Sequence, residues 1–410
     1  MDAGLAPITI KSGTLAGVLV ACALATSSIV FSEPAPADVL MMGVIVGVPV
    51  LGAAQFGRVA KLHLALWLVV VALGLAGTTM SAVMPVAIIH QVVTLYLVLG
   101  AFVLAGYVSA DPEPRFRLIA SFYVVGCLIA CAAAFAGYFN LIPGTYDLFT
   151  NYGRARGTFK DPNVFAAALA PGLVLAVWMA LRARLHWLPV AGGIAVILAL
   201  GLLISFSRGG WFSAVVSIAV LTWISLVMSR RQSDVRRFLA VACIGTVAFI
   251  GAISAALQVD AVRNLMDQRA TLDQSYDVGP DGRFGGQEKA KKLVLENPFG
   301  IGTHTFRETY HHEEPHNVYL SMFLNAGWIG GLVYIISVLA TLFVGLRGAF
   351  QASALQGPFV IASAAFAGLV VEGLVIDSDH WRHFFIFMGL IWGLADAPPP
   401  ALHASRRRTD

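Results

Sequence analysis

A chain of 410 residues that is 58% hydrophobic and only 12% charged, with a mean hydropathy of +0.77, is not a water-soluble domain, because surface residues must still meet water. Its formal net charge is only +4, and no nucleic-acid partner is expected. Apolar runs of about 17–25 residues recur, continuous in Leu, Val, Ala and Ile, which predicts membrane helices rather than the alternating strands of a barrel.

In chain order the runs predict an all-α, polytopic membrane protein with about twelve transmembrane helices. They lie near 13–31, 38–56, 62–80, 85–109, 117–139, 163–181, 188–206, 211–228, 238–257, 317–346, 358–376 and 383–396. The tenth is long enough to tilt or project, and the last is short for a span, which suggests a partly re-entrant segment. The expected organisation is nine helices over 1–257, a large hydrophilic loop with short helices over 258–316, three helices over 317–396 and a basic tail over 397–410. Cys22, Cys127, Cys131 and Cys243 fall inside apolar runs and read as small hydrophobes.

Short loops holding Arg58 and Lys61, Arg115 and Arg117, Arg182 and Arg184, "SRRQSDVRR" (229–237) and the tail "SRRR" (405–408) alternate with loops that lack positive charge. The positive-inside bias therefore predicts cytoplasmic termini and an outer position for 258–316. Arg154, Arg156 and Lys160 in "GRARGTFKDPN", Arg208 in "SRGG" and Arg382 in "DSDHWRH" oppose that bias. Such residues either snorkel to lipid phosphates or hold an anionic ligand; taken together the clusters favour the ligand. Each precedes a helix that enters the membrane from outside. Asp161-Pro162 reads as N-cap and N1, Ser207 and Asp379 as caps, and helix N-termini favour anions.

The loop over 258–316 opens with "VDAVRNLMDQRATLDQ" (259–274), an amphipathic pattern, followed by the turn signal "DVGPDG" (277–282). A short helix over 286–300 should end at Asn297-Pro298, with Arg283 just ahead of it. His304, His311, His312 and His316 lack a zinc-helix spacing, and Pro315 breaks the single i,i+4 pair. His311, His312, Glu313 and Glu314 read as a solvated loop. His316 comes last before the apolar run, where a neutral imidazole could accept a proton from a hydroxyl. Asn317 could hold that ring or a sugar hydroxyl, or equally cap the next helix. Glu372, near the outer end of its span, should pair with Arg382 or another outer Arg and organise the basic site. His90 and Gln91 read as interhelical hydrogen-bonding groups.

"GRARGTFKDPNVFAAALAPG" (153–172), "SRGGW" (207–211), "ENPFGIG" (296–302) and "PHNVYLSMFLNAGWIGG" (315–331) occur in this order. Together they resemble the O-antigen ligase and polysaccharide polymerase superfamily of bacterial inner-membrane proteins. The resemblance implies a metal-independent glycosyltransferase, without cofactor, acting at the periplasmic face. It would move a glycan from a polyprenyl diphosphate carrier to an acceptor hydroxyl, that of lipid A-core in a ligase. A polymerase would use another lipid-linked repeat, and a protein O-glycosyltransferase a Ser. The family's diphosphate-contacting arginines map onto Arg156, Arg208 and Arg283, and less closely onto Arg154 and Arg382; its base maps onto His316. From the residues themselves, a lipid diphosphate is already a good leaving group, so cations and a base suffice, and no nucleotide-binding motif is present. A secondary transporter is the alternative from another class, although the halves show no repeat.

Overall fold

Hydrocarbon tolerates only backbone whose polar groups bond to one another, so continuous apolar runs become helices. The computed structural model describes residues 12–229, 232–258, 263, 279–280 and 282–398. Its helices are α1 (Ser12–Thr26), α2 (Pro36–Val50), α3 (Arg58–Gly77), α4 (Met84–Ala110), α5 (Pro112–Tyr138), the short α6 (Thr145–Phe149), α7 (Pro162–Arg182), α8 (Leu188–Ile204), α9 (Arg208–Met228) and α10 (Gln232–Ala256). After the large loop come α11 (Arg283–Glu296), α12 (Val318–Phe350), α13 (Gln356–Glu372) and α14 (Arg382–Ala395). The strands among the described residues that form a ladder are β1 (Thr150–Asn151) and β2 (Arg154–Ala155), an antiparallel pair. The expected helix over 259–274, Arg263 apart, and the basic tail beyond 398 lie outside the described residues.

The chain is an all-α polytopic membrane protein. Among the described residues, seven stretches are long and apolar enough to cross a bilayer: Arg58–Met80, Met84–Ala110, Pro112–Tyr138, Pro162–Arg182, Leu185–Ile204, Arg208–Met228 and Val318–Phe350. Helices α1, α2, α13 and α14 are shorter but equally apolar. Large side chains such as Val39, Val46, Ile89, Val215, Ile329 and Phe343 stand exposed on the helix exteriors. A continuous apolar exterior of this kind suits lipid, not water. Helix α14 is instead buried along its whole length, from His383 to Leu394, and so is a core helix rather than a lipid-facing one. It lies on α4 through Gly389 and Gly393, where a Cβ would fall 2.5 Å from the carbonyl oxygens of Ala101 and Ala105. Small residues one helical turn apart are what let two backbones approach so closely.

At the end of the bundle away from His316, Asp396 accepts hydrogen bonds from the Val59 and Ala60 amides, both at 2.8 Å. This fastens the end of α14 to the start of α3, where unsatisfied N–H groups favour a carboxylate. Arg115 donates to the carbonyls of Ala53 and Tyr107, both at 2.6 Å, and lies over the Tyr107 ring. The bundle is thus closed at this end by ion-to-backbone contacts.

At the other end the expected caps at Asp161 and Ser207 form: Asp161 accepts from the Asn163 amide and Ser207 from that of Gly210. Asp379 does not cap α14; Trp381 occupies the N-cap position without a side-chain bond. The carboxylate instead meets His90 of α4, with Oδ2 2.9 Å from Nε2, because the loop 373–381 folds back over the bundle before α14 begins. The long α12 is not one continuous helix. It breaks at Gly327, whose φ of 70° and ψ of −176° suit only glycine.

Candidate functional site

His316 sits in the left-handed region, with φ 50°, immediately before α12. Asn317 caps that helix, its Oδ1 accepting from the Tyr319 and Leu320 amides at 3.1 and 3.2 Å. Its Nδ2 donates to the Leu374 carbonyl at 3.1 Å. The capping reading is therefore the one the structure realises, and Asn317 spends its polar groups on backbone rather than on the His316 ring.

Two carboxylates flank the imidazole. Glu313 Oε2 lies 3.0 Å from Nε2, and Asp377 Oδ2 lies 3.8 Å from Nδ1, beyond hydrogen-bond range. Asp377 also accepts from the His316 backbone amide at 2.9 Å and from the Ser321 hydroxyl at 2.5 Å. It thereby ties the strained residue and the first turn of α12 to the loop 373–381. The His316 side chain remains 27% exposed, so the ring is reachable from outside. Glu313 stays an exposed loop residue, as its position suggested, with its side chain 54% exposed, and it also bonds the His316 ring. Burial pulls its pKa up, but the bond from His316 and the charges of His316, His312 and Arg283 outweigh this and hold it below the usual carboxylate value. Asp377 moves the other way, to about 6, through burial and the neighbouring charge of Asp379. Glu314, the next loop residue, is paired with His304 at 2.8 Å.

Arg283 starts α11 and is close enough to act on the Glu313 carboxylate. Gln287, one turn later, donates to the His316 carbonyl at 3.1 Å. Helix α11 therefore delivers its first turn to the His316 group. Arg208 starts α9, and the adjacent Gly209 borders the end of α13, where a Cβ would lie 3.5 Å from Glu372 Oε1 and 3.7 Å from Val375. Arg208 thus begins its helix beside the loop that carries Asp377. Glu372 is fully buried, and neither carboxyl oxygen has a hydrogen bond of good geometry, although Ser213 is near enough to act on it.

The expected pairing of Glu372 with Arg382 is not made. Arg382 forms a two-pronged ion pair with Asp38 at the start of α2, both contacts 2.8 Å. Asp38 projects from the first turn of α2 and also accepts from the Tyr96 hydroxyl at 3.1 Å, so the guanidinium meets a carboxylate already held in place. Arg154 is buried, donating to the Ser205 carbonyl at 2.8 Å and to Asn163 Oδ1 at 2.7 Å. It pins the β1–β2 hairpin to the α8–α9 corner, just ahead of Arg208. Arg156, on the same hairpin, donates to the carbonyls of Leu148 at 3.1 Å and Lys160 at 3.4 Å. Of the expected site residues, then, the structure groups His316 with Arg283 and sets Arg208 on the border of their loop. Arg154 and Arg382 brace the surrounding frame, and Arg156 stands on the hairpin side.

A cavity of about 180 Å³ opens among these elements. Tyr123 and Cys127 line its apolar wall, and Lys160, Arg382, His380 and Asp377 its polar side. Asp377 is thus shared by the cavity and the His316 group. Sequence reasoning did not assign Asp377 or Glu313 to His316. Glu313, three residues away, could have been found from spacing; Asp377, 61 residues on, could not.

No curated protein matches the chain. Residues 193–335 match a family model described as O-antigen ligase. The match takes in "SRGGW", "ENPFGIG" and "PHNVYLSMFLNAGWIGG", and so includes Arg208, Arg283 and His316, whereas "GRARGTFKDPN" precedes it. Those three motifs thus lie in one stretch, inside a bundle of membrane helices, that is similar to the O-antigen ligase family.

Proposed function

We propose that the protein is a glycosyltransferase of the bacterial inner membrane, with its site on the periplasmic face and both termini in the cytoplasm. It moves a glycan from a polyprenyl diphosphate carrier to an acceptor hydroxyl, as a ligase acting on lipid A-core. The observation that carries this reading is the His316 imidazole, held at Nε2 by Glu313 and open at Nδ1, with Arg283 beside it.

In the proposed step the acceptor oxygen bonds to the anomeric carbon of the sugar while that carbon's bond to the diphosphate oxygen breaks. The acceptor proton passes to His316, and polyprenyl diphosphate leaves. Donation of the Nε2 proton to Glu313 fixes the tautomer in which Nδ1 is bare and able to accept. The 3.8 Å between Nδ1 and Asp377 Oδ2 leaves room for a hydroxyl oxygen to approach both. Arg208, Arg283 and Arg156 supply the positive charge that stabilises the departing diphosphate, so the chemistry needs no metal. Arg208 also begins α9, whose N-terminal dipole favours an anion.

The test is release of polyprenyl diphosphate from a lipid-linked glycan by the purified protein, with lipid A-core as acceptor. Wild type should release it and form the capped acceptor. His316→Ala and Arg208→Ala should each lose transfer while remaining inserted and folded. Wild-type turnover in either variant removes that residue from the mechanism. Elongated lipid-linked chains in place of a capped acceptor would reassign the protein as a polymerase.

A further inference from the structure

Behind the His316 group lies a second cluster that the transfer reaction does not use. His90 of α4 and Asp379 of the loop 373–381 approach to 2.9 Å, each side chain only 11% exposed. A buried imidazole nitrogen and carboxylate oxygen this close can serve as two ligands of one ion. His380 stacks on His90 with ring centroids 3.9 Å apart. One His380 nitrogen is tied to the His90 carbonyl at 3.1 Å, the kind of outer contact that orients a metal-binding imidazole. One ligand atom from each of the three residues falls within 4.8 Å of the other two.

The geometry points to a divalent-cation site formed by His90, Asp379 and His380, suited to a borderline first-row ion such as zinc. Two imidazoles and one carboxylate are a donor set such ions take. Bonds of about 2.0–2.1 Å require the ligand atoms to draw in by roughly an ångström, a side-chain adjustment. The His380 nitrogen tied to the His90 carbonyl is Nε2, which also meets the Thr94 hydroxyl at 3.0 Å, and this leaves Nδ1 as the ligand atom. His304 packs edge-on against His90 at 4.9 Å and is held in turn by Glu314. The ion would be a clamp, not a catalyst: it joins α4 to the loop whose Asp377 holds His316 in place.

Full-length protein in detergent, stripped with chelator, would be titrated with Co²⁺ and Zn²⁺. One Co²⁺ per chain should bind, giving visible d–d absorption that Zn²⁺ abolishes, and Zn²⁺ should raise Tm by about 3 °C. His90→Gln and Asp379→Asn should each weaken binding at least about tenfold and lose the Zn²⁺-dependent rise in Tm. The exposed pair His311→Ala/His312→Ala should bind as wild type does. Absence of stoichiometric Co²⁺ binding by wild type overturns the assignment. So does binding that survives in His90→Gln and Asp379→Asn, or that disappears with His311 and His312. These outcomes are read without any glycan substrate and stand apart from the transferase reading.

Discussion

Asp377→Ala should separate the positioning of His316 from its chemistry. The substitution removes the carboxylate that accepts the His316 amide at 2.9 Å and the Ser321 hydroxyl at 2.5 Å. Hydrogen bonds to a charged partner contribute about 1.5–3 kcal/mol each. They hold a residue with φ 50°, a backbone conformation that costs about 1–3 kcal/mol when nothing compensates. If about 3 kcal/mol of this loss falls on the catalytic arrangement, kcat drops by roughly 150-fold. Asp377→Asn keeps the shape and one neutral bond, so its loss should be nearer tenfold, about 1.4 kcal/mol. The assay is initial-rate release of polyprenyl diphosphate at saturating donor and acceptor, with KM for the donor and Tm measured in parallel. A fall in kcat with donor KM nearly unchanged is expected, because no diphosphate-contacting guanidinium is touched. An Asp377→Ala enzyme within twofold of wild-type kcat would refute the positioning argument.

Arg382→Ala leaves the largely buried Asp38 carboxylate, 14% exposed, without its ion-pair partner, and should cost about 3 kcal/mol of stability. A fall in Tm, with donor KM little changed, is the expected readout; a large rise in KM would instead place Arg382 on the substrate. Arg156→Lys cannot reproduce a planar guanidinium and should raise donor KM about tenfold. Glu313→Gln removes the carboxylate that holds His316 Nε2 at 3.0 Å, so kcat should fall about tenfold, about 1.4 kcal/mol, with donor KM little changed. An unchanged kcat would show that the Glu313–His316 contact is absent during turnover.

Much of this architecture is written locally. Apolar length located the helices, and Asp161 and Ser207 announced two helix starts because a cap is a short-range signal, whereas Asn317 read equally as a cap or a contact to the ring or a sugar. Longer-range pairings carry no such mark. Arg382 finds Asp38, 344 residues away, and Asp379 finds His90, because the loop 373–381 crosses the top of α4 and α2. Nothing in "DSDHWRH" says which carboxylate turns toward which helix. Glu372 was expected to attract Arg382 because buried acids usually find a cation, but Arg382 is taken by Asp38, and the end of α13 faces Gly209 at the start of α9. Glu313 is as exposed as its charged surroundings suggested, but its bond to the His316 ring was not assigned.

The interruption of α12 has a consequence for how the loop and helix vary together. At the break, the Trp328 amide donates to the Pro298 carbonyl at 2.8 Å, and the Leu324 carbonyl accepts from Ile301 and Gly302 at 2.8 and 3.1 Å. Backbone from "ENPFGIG" thus acts as a splint, replacing the rungs that the helix lost. A residue inserted between 297 and 302 would slip that splint out of register and strand these amides and carbonyls in a greasy surrounding. The ten-residue tip that begins at Asn317 would then lose its aim, although neither His316 nor Asp377 had changed.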